Sequence, residues 1–194
     1  MERPRPRSLS ARLKQAALFV AIVWALAASF VVFDLCLGFT SILPRIDFTR
    51  PAKADPEALL AGFRAHEPDV AFASPIIWQH TSRKFAAQAV RLPSVRTVIT
   101  VGAAIPASLH RRMQQILPEG TQVWTPYGAT EGLPIANIGT AEILGDTWAR
   151  TARGAGTCVG RLAPGARVAI VPISDDPIPR WSDALALPVG ELGE

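Results

Sequence analysis

Cysteine and histidine, the residues that most often build metal sites, are scarce in this chain of 194 residues. The two cysteines, Cys36 and Cys158, form no Cys-x-x-Cys pair, so neither a zinc site nor a redox motif is expected, and we expect free, buried thiols. The three histidines, His66, His80 and His110, share no ligand spacing such as i, i+4, and we assign no metal to them. A Gly-x-Ser-x-Gly sequence is also missing, which argues against an α/β-hydrolase.

The excess of positive charge belongs to the start of the chain. Residues 1–14 contain five basic residues and one acidic residue, of 20 and 16 in the whole chain, so the remainder carries 15 of each sign. No basic stripe interleaved with aromatic residues occurs beyond residue 14. Nucleic acid is therefore not an expected partner.

An uncharged, apolar run of eighteen residues extends from Ala16 to Phe33. As an α-helix it would extend about 27 Å, close to the thickness of a bilayer core. Because basic residues precede it, the run predicts a transmembrane anchor with a cytoplasmic start. The chain would then lie on the cytoplasmic side of the membrane, or in the cytoplasm if the run is not inserted. The alternatives are a signal peptide cleaved within 25–29, a buried strand and helix, and an accidental or frame-shifted start.

Three strand-and-helix units follow, with strands predicted at 70–73, 95–101 and 122–125 and helices at 76–90 and 107–117. The pattern predicts an α/β fold, namely a partial open parallel sheet with flanking helices, preceded by one hydrophobic helix. In such sheets ligands bind at the carboxyl ends of the strands. We therefore expect the turns after the second and third strands to converge on one crevice.

The turn after the third strand carries the chemistry of a nucleotide site. It consists of Tyr127-Gly128-Ala129-Thr130-Glu131-Gly132. A phenol can cover a purine, a hydroxyl can donate to a phosphate oxygen, and a carboxylate can hold Mg²⁺, which prefers oxygen ligands. An ordinary polar turn is the alternative interpretation of this hexapeptide.

Together with the upstream segment Gly102-Ala103-Ala104-Ile105-Pro106, this turn resembles the adenylate-forming (AMP-binding) superfamily of acyl-CoA synthetases and luciferases. The longer stretch 124–134, with 154–160 and 175–181, is similar to the fatty-acid ligase-like β-lactone synthetases of olefin biosynthesis. The resemblance covers roughly residues 33–194. It divides the chain into a basic segment (1–14), a hydrophobic segment (15–33) and a partial AMP-binding domain (34–194).

The resemblance implies a role for each motif residue and two cofactors, ATP and Mg²⁺. Thr130 would contact the α-phosphate and Glu131 would hold the metal, which makes these two the expected catalytic residues. The implied substrate is a long-chain fatty acyl or β-hydroxy acyl carboxylate. The cofactor-binding residues would be Gly102, Ala103 and Ala104 around the adenine, Tyr127 stacked on it, and Gly128 and Thr130 beside it.

The chain departs from the family pattern in several places. It lacks the Ser/Thr/Gly-rich phosphate loop ending in Pro-Lys-Gly, the later ribose-binding aspartate, the hinge residue and the catalytic lysine. Since phosphoryl chemistry depends on positioned cations, we expect little or no activity from this chain alone. The alternatives are a piece of an active ligase, which a companion polypeptide would complete, and a membrane-tethered, non-catalytic remnant that binds nucleotide weakly.

The segment after the hexapeptide is rich in glycine. We expect residues 137–165 to form an irregular loop and residues 168–173 to form a further strand.

Overall fold

The computed structural model describes residues 31–32, 34–129 and 132–194. The chain divides into two compact units, Met1–Val123 and Trp124–Glu194. Residues 31–32 and 34–36 are helical, and a short 3₁₀ helix, Pro51–Lys53, follows them in the first unit. The regular elements continue with α1 (Pro56–His66), β1 (Val70–Phe72), α2 (Pro75–Ala87), β2 (Thr97–Ile99) and α3 (Ala107–Ile116).

The helices of the first unit start at residues that favour a helix N-terminus. The Asp55 carboxylate accepts a hydrogen bond from the Glu57 backbone N–H at 3.0 Å, and so caps α1. Pro56 and Pro75 occupy the first positions of α1 and α2, where the missing N–H of proline has no cost. These signals explain where the two helices begin: α2 starts within one residue of its predicted position, whereas α1 was not predicted.

The strands β1 and β2 are parallel, as predicted, with Ala71 opposite Val98. Both side chains are buried, and they lie in one apolar cluster with residues of α2 and α3. Each large side chain buried there, such as Phe85 or Met113, contributes about 1.5–3 kcal/mol. The predicted α/β class with parallel strands and flanking helices is confirmed, although the second strand is shorter than predicted.

The strands of the second unit are antiparallel, and this pairing was not predicted. β3 (Gln122–Ala129), whose first two residues belong to the first unit, pairs with β4 (Gly132–Gly139), and β4 pairs with β5 (Arg161–Leu162). The chain thus contains parallel and antiparallel strands. A short 3₁₀ helix, Asp183–Leu185, follows.

Two predictions for the second unit are wrong. A helical segment occupies much of the expected loop at 137–165: it is α-helical at Thr140–Glu142, π-helical at Ile143–Thr147 and α-helical again at Trp148–Ala152. Residues 168–173 form no regular strand, although Val171 and Glu194 exchange two backbone hydrogen bonds of 2.9 and 3.0 Å. Glycine density at the first place and apolar β-branched residues at the second favoured the wrong local structure, because such local preferences are weak beside the tertiary context.

Cys36 and Cys158 are free, as predicted, but exposed and not buried. In the part of the chain that the structure describes, no helix is long and apolar enough to cross a membrane. The run from Ala16 to Phe33 lies outside that part except for residues 31 and 32, so the predicted anchor stays a prediction.

Candidate functional site

Tyr127 lies on β3, and not in a turn after it, because the strand continues to Ala129. Its partner on β4 is Ala136, and the partner of Ala136 on β5 is Leu162. Directly opposite residues point to the same face of a sheet, so the three side chains form one row. Tyr127 is 52% exposed beside the small, buried Ala136. The phenol ring therefore presents an accessible aromatic surface on a paired strand, which suits stacking against a flat base.

Gly128 is required by the approach of the two strands of the hairpin. A Cβ at this position would contact the carbonyl oxygen of Gly132, and it would lie 3.0 Å from Leu133 Cδ1 and 3.2 Å from Leu133 Cα. The register shifts here. Between the pairs Tyr127–Ala136 and Ala129–Gly132, β4 has three residues whereas β3 has only Gly128. Absence of a side chain at Gly128 thus permits the irregular pairing that follows the tyrosine.

Thr130 and Glu131, the predicted catalytic residues, lie outside the described residues. Their neighbours Ala129 and Gly132 are partners in the β3–β4 pairing. The predicted contacts of Thr130 with phosphate and of Glu131 with a metal stay predictions. Within the described ranges, no group of three or more His, Cys, Asp or Glu side chains is placed so that it could hold a metal ion.

Gly102, Ala103 and Ala104 lie in the first unit, between the end of β2 and the start of α3, and all three are exposed. Gly102 has a φ of +99°, a conformation that side chains disfavour. The following residue, Ile105, is buried and anchors the segment to the core of its unit. The three small residues therefore present accessible backbone at the carboxyl end of a parallel strand, where the predicted adenine-binding segment should lie.

Two buried hydroxyl groups at the same strand ends were missed by the sequence analysis. Ser74 follows β1 and Thr100 follows β2, and the Oγ of Ser74 and the Oγ1 of Thr100 are buried without a hydrogen-bond partner among the described residues. The last pair of the register is Phe72 opposite Ile99, so the two hydroxyl residues follow neighbouring parallel strands at one edge. Buried polar groups normally find partners, so these two hydroxyls are exceptions within the first unit.

A third oxygen of this kind lies close to Tyr127 in sequence. Thr125 is two residues before it on β3, and alternate residues of a strand share a face. Thr125 Oγ1 is buried and has no hydrogen-bond partner in the described part of the chain. The signal available in the sequence was this spacing of two from the tyrosine, which places an aromatic ring and a hydroxyl on one face.

Comparison with known proteins gives one family. A model of the AMP-binding enzyme family matches residues 7–192. The olefin β-lactone synthetases of Stenotrophomonas maltophilia and Xanthomonas campestris are 42% and 41% identical to this chain over 165 residues. In both cases the alignment covers 85% of this chain and 29% of the relative, so the chain spans less than a third of the length of these relatives.

The fold is similar to that of adenylate-forming enzymes of known structure. The o-succinylbenzoate CoA synthetase of Bacillus subtilis, solved in complex with an acyl-adenylate intermediate, superposes with a TM-score of 0.56 at 18% identity, over 89% of this chain and 29% of that one. An amide bond synthetase of Marinactinospora thermotolerans gives a TM-score of 0.51 at 23% identity, over 72% of this chain and 25% of that one. The resemblance inferred from the sequence motifs is confirmed.

Proposed function

This chain belongs to the AMP-binding enzyme family, and we propose that it is the adenine-binding part of an ATP-dependent ligase that forms acyl adenylates. The observation that carries the proposal is the half-exposed ring of Tyr127, held on a paired strand beside buried Ala136. A stacked base gains about 1–3 kcal/mol on such a ring.

The other residues of the motifs keep the roles that the resemblance to the family implies. Gly102, Ala103 and Ala104, in the first unit, present exposed backbone and would contact adenine by that resemblance. Gly128 would act indirectly, by permitting the strand pairing that holds the tyrosine. Thr130 would donate to the α-phosphate and Glu131 would hold Mg²⁺, whose charge offsets that of the phosphates when it is bound.

The proposed acyl substrate follows from the relatives. Two olefin β-lactone synthetases match 85% of this chain, which supports a β-hydroxy acyl or other long-chain fatty acyl carboxylate. A lactone can form only from an acid that carries its own hydroxyl group. A β-hydroxy acid is therefore the first substrate to test, with the unsubstituted acid of equal length as its comparison.

A second candidate function is nucleotide binding without turnover by this chain alone. The chain has three lysines, Lys14, Lys53 and Lys84, and none stands in a Pro-Lys-Gly sequence. Lys84 Nζ forms an ion pair with Glu57 at 2.8 Å, and Lys53 belongs to a short 3₁₀ helix. Turnover requires cations that neutralise charge at the transferring phosphate, and we expect a companion polypeptide to supply them. Without such a companion, we expect membrane-tethered binding of nucleotide to be the only activity.

The adenine site is tested by ATP binding to the full chain, measured by calorimetry with and without Mg²⁺. Replacing Tyr127 by Ala should weaken binding about tenfold or more, whereas Tyr127→Phe should preserve it because the ring remains. Trp181→Ala is the matched control, since it removes another half-exposed aromatic side chain from the same unit. Equal ATP affinity of the wild type and Tyr127→Ala would contradict the proposal.

The metal and the turnover are tested separately. Glu131→Gln should remove the dependence of ATP binding on Mg²⁺ while leaving the stacked base in place. Acid-dependent pyrophosphate release by the wild-type chain alone would favour a working ligase over the second candidate. Release that appears only after addition of the remaining parts of a relative would assign the missing cations to a companion polypeptide.

A further inference from the structure

The two faces of the parallel strands β1 and β2 differ in burial. Ala71 and Val98, which are opposite each other, are buried in the apolar cluster that includes residues of α2 and α3. Their neighbours along each strand point to the other face, since successive side chains of a strand alternate. Val70 and Phe72 of β1 lie on this other face, and each is 44% exposed. The helices α2 and α3 therefore cover one side of the strand pair.

The other side, which we call the outer face, is formed by Val70, Phe72, Thr97 and Ile99. Thr97 and Ile99 are the partners of Val70 and Phe72 on β2, and both are partly buried. Apart from the Thr97 hydroxyl, the side chains of the outer face are hydrocarbon. Parallel sheets occur almost only with both faces covered, because crossover helices pack on either side. A covering layer on the outer face is therefore expected.

The chain carries an apolar segment that suits this position. Residues 16–33 contain no charge, and the only hydrophilic side chain among them is that of Ser29. A helix that is apolar all round is either buried in protein or spans a membrane. The family model matches residues 7–192, so the segment lies within the matched region and not ahead of it. A segment that belongs to the domain favours burial against the domain.

The chain that follows the segment returns to the end of β1. Residues 31–32, which are the described part of the segment, are helical. Ile46 and Ala73, the residue directly after β1, pack against the same small apolar cluster. Residues 33–45 connect these two places, and a chain of that length reaches at most about 45 Å. The connection therefore limits how far the end of the segment can lie from the outer face.

We propose that residues 16–33 pack as a helix against the outer face and complete the covering of the parallel strands. At a rise of about 1.5 Å per residue such a helix is about 27 Å long, whereas a strand of three residues extends about 10 Å, so part of the segment suffices. The segment is then an internal helix of the domain and not a membrane anchor. The inference does not depend on the proposed adenine site, to which none of these residues belongs.

The test measures the reactivity of a single introduced cysteine in the full chain, after Cys36 and Cys158 are replaced by Ser. Val70→Cys reports on the outer face. Ile76→Cys, on α2, is the matched control, because Val70 and Ile76 are 44% and 46% exposed. If the segment covers the outer face, Val70→Cys should react with iodoacetamide at least about tenfold more slowly than Ile76→Cys, since labelling requires the helix to open.

A charge placed in the segment tests which part of the chain provides the cover. Val23→Asp should raise the labelling rate of Val70→Cys to that of the control, because a carboxylate is costly to bury against an apolar face. Leu37→Asp adds the same charge at a position that is 69% exposed and lies outside the segment. It should leave the slow labelling of Val70→Cys unchanged.

Each outcome decides the proposal. Slow labelling of Val70→Cys that Val23→Asp abolishes and Leu37→Asp preserves would support it. Equal labelling of Val70→Cys and Ile76→Cys would overturn it, as would slow labelling that Val23→Asp leaves unchanged or that is lost on dilution, which would indicate a second copy. Flotation of the chain with phosphatidylcholine–phosphatidylglycerol vesicles in a density gradient would assign the segment to the membrane and also overturn it. If Val70→Cys does not fold, Thr97→Cys on the same face decides by its response to Val23→Asp.

Discussion

Replacing Gly128 by Ala should destabilise the β3–β4 hairpin. The added Cβ would contact the Gly132 carbonyl oxygen and lie 3.0 and 3.2 Å from two carbon atoms of Leu133, of which one belongs to the backbone. Backbone atoms cannot move aside as the end of a flexible side chain can. Overpacking of this kind costs about 1–3 kcal/mol. The strands must therefore separate near Tyr127, and the tyrosine loses its fixed position beside Ala136.

The same hairpin offers a matched control. A Cβ on Gly132 would meet only Ile135 Cγ1, at an ordinary distance of 3.9 Å. Gly132→Ala should therefore change stability by less than about 0.5 kcal/mol, like most substitutions away from tight contacts. Both glycines lie in the same motif, so a difference in stability between the two variants reflects the packing around each glycine and not its place in the motif.

Hydrogen exchange measures the effect where it occurs. The free energy of opening at the amides of Ala136 and Ile138, which are buried residues of β4, should fall by about 1–3 kcal/mol in Gly128→Ala. ATP affinity should fall with it. If Gly128→Ala keeps wild-type protection, or if Gly132→Ala loses as much, the steric argument for Gly128 is wrong.

Two further predictions concern pH and strand pairing. Burial lowers the pKa of His110 from 6.5 to about 4, so the folded chain holds it neutral while the unfolded chain binds a proton. The free energy of unfolding should therefore keep its full value above pH 6.5 and fall by about 3 kcal/mol on acidification to pH 4. In urea unfolding, His110→Gln should lose less stability than the wild type over this range. An equal loss in both proteins would refute the assignment to His110. Gly160 has a φ of +88° and no room for a Cβ beside the Asn137 carbonyl, so Gly160→Ala should detach β5. The amide of Ala163, which donates to the Ile135 carbonyl at 2.9 Å, should then exchange at least about tenfold faster, whereas Gly156→Ala, with open space around it, should leave it protected.

The first unit was predictable because its local signals agree with its tertiary structure. Pro75 starts α2 within one residue of the predicted position, and the β-branched residues around Val98 mark a buried strand. Agreement of this kind between local preference and fold is what makes a sequence interpretable.

The second unit was harder to predict because pairing overrides local preference there. Pro126 and Gly128 are typical of turns, yet both lie within β3, Pro126 opposite Asn137 of β4 and Gly128 at the register shift between Tyr127 and Ala129. The helical segment from Thr140 onward contains Gly145, which suggested a loop. The candidate site shows the same division: the motif identified Tyr127, whereas the unpaired hydroxyl of Thr125 depends on burial, which no local pattern reports.

Gly128 and Tyr127 are adjacent in the motif but have different physical roles, so substitutions at the two positions distinguish the structure of the hairpin from nucleotide binding. Gly128 is required by contact with Gly132 and Leu133 of the chain itself, so its presence indicates the hairpin and carries no information on nucleotide. Tyr127 is half exposed, and so its ring contributes less to the packing of the unit than a buried ring would. Tyr127→Ala should then reduce ATP affinity with little loss of hairpin protection, whereas Gly128→Ala should reduce both. If the hairpin binds nucleotide, the loss of ATP affinity relative to the loss of hydrogen-exchange protection should differ between the two variants. If it binds nothing, only the hydrogen-exchange protection should change.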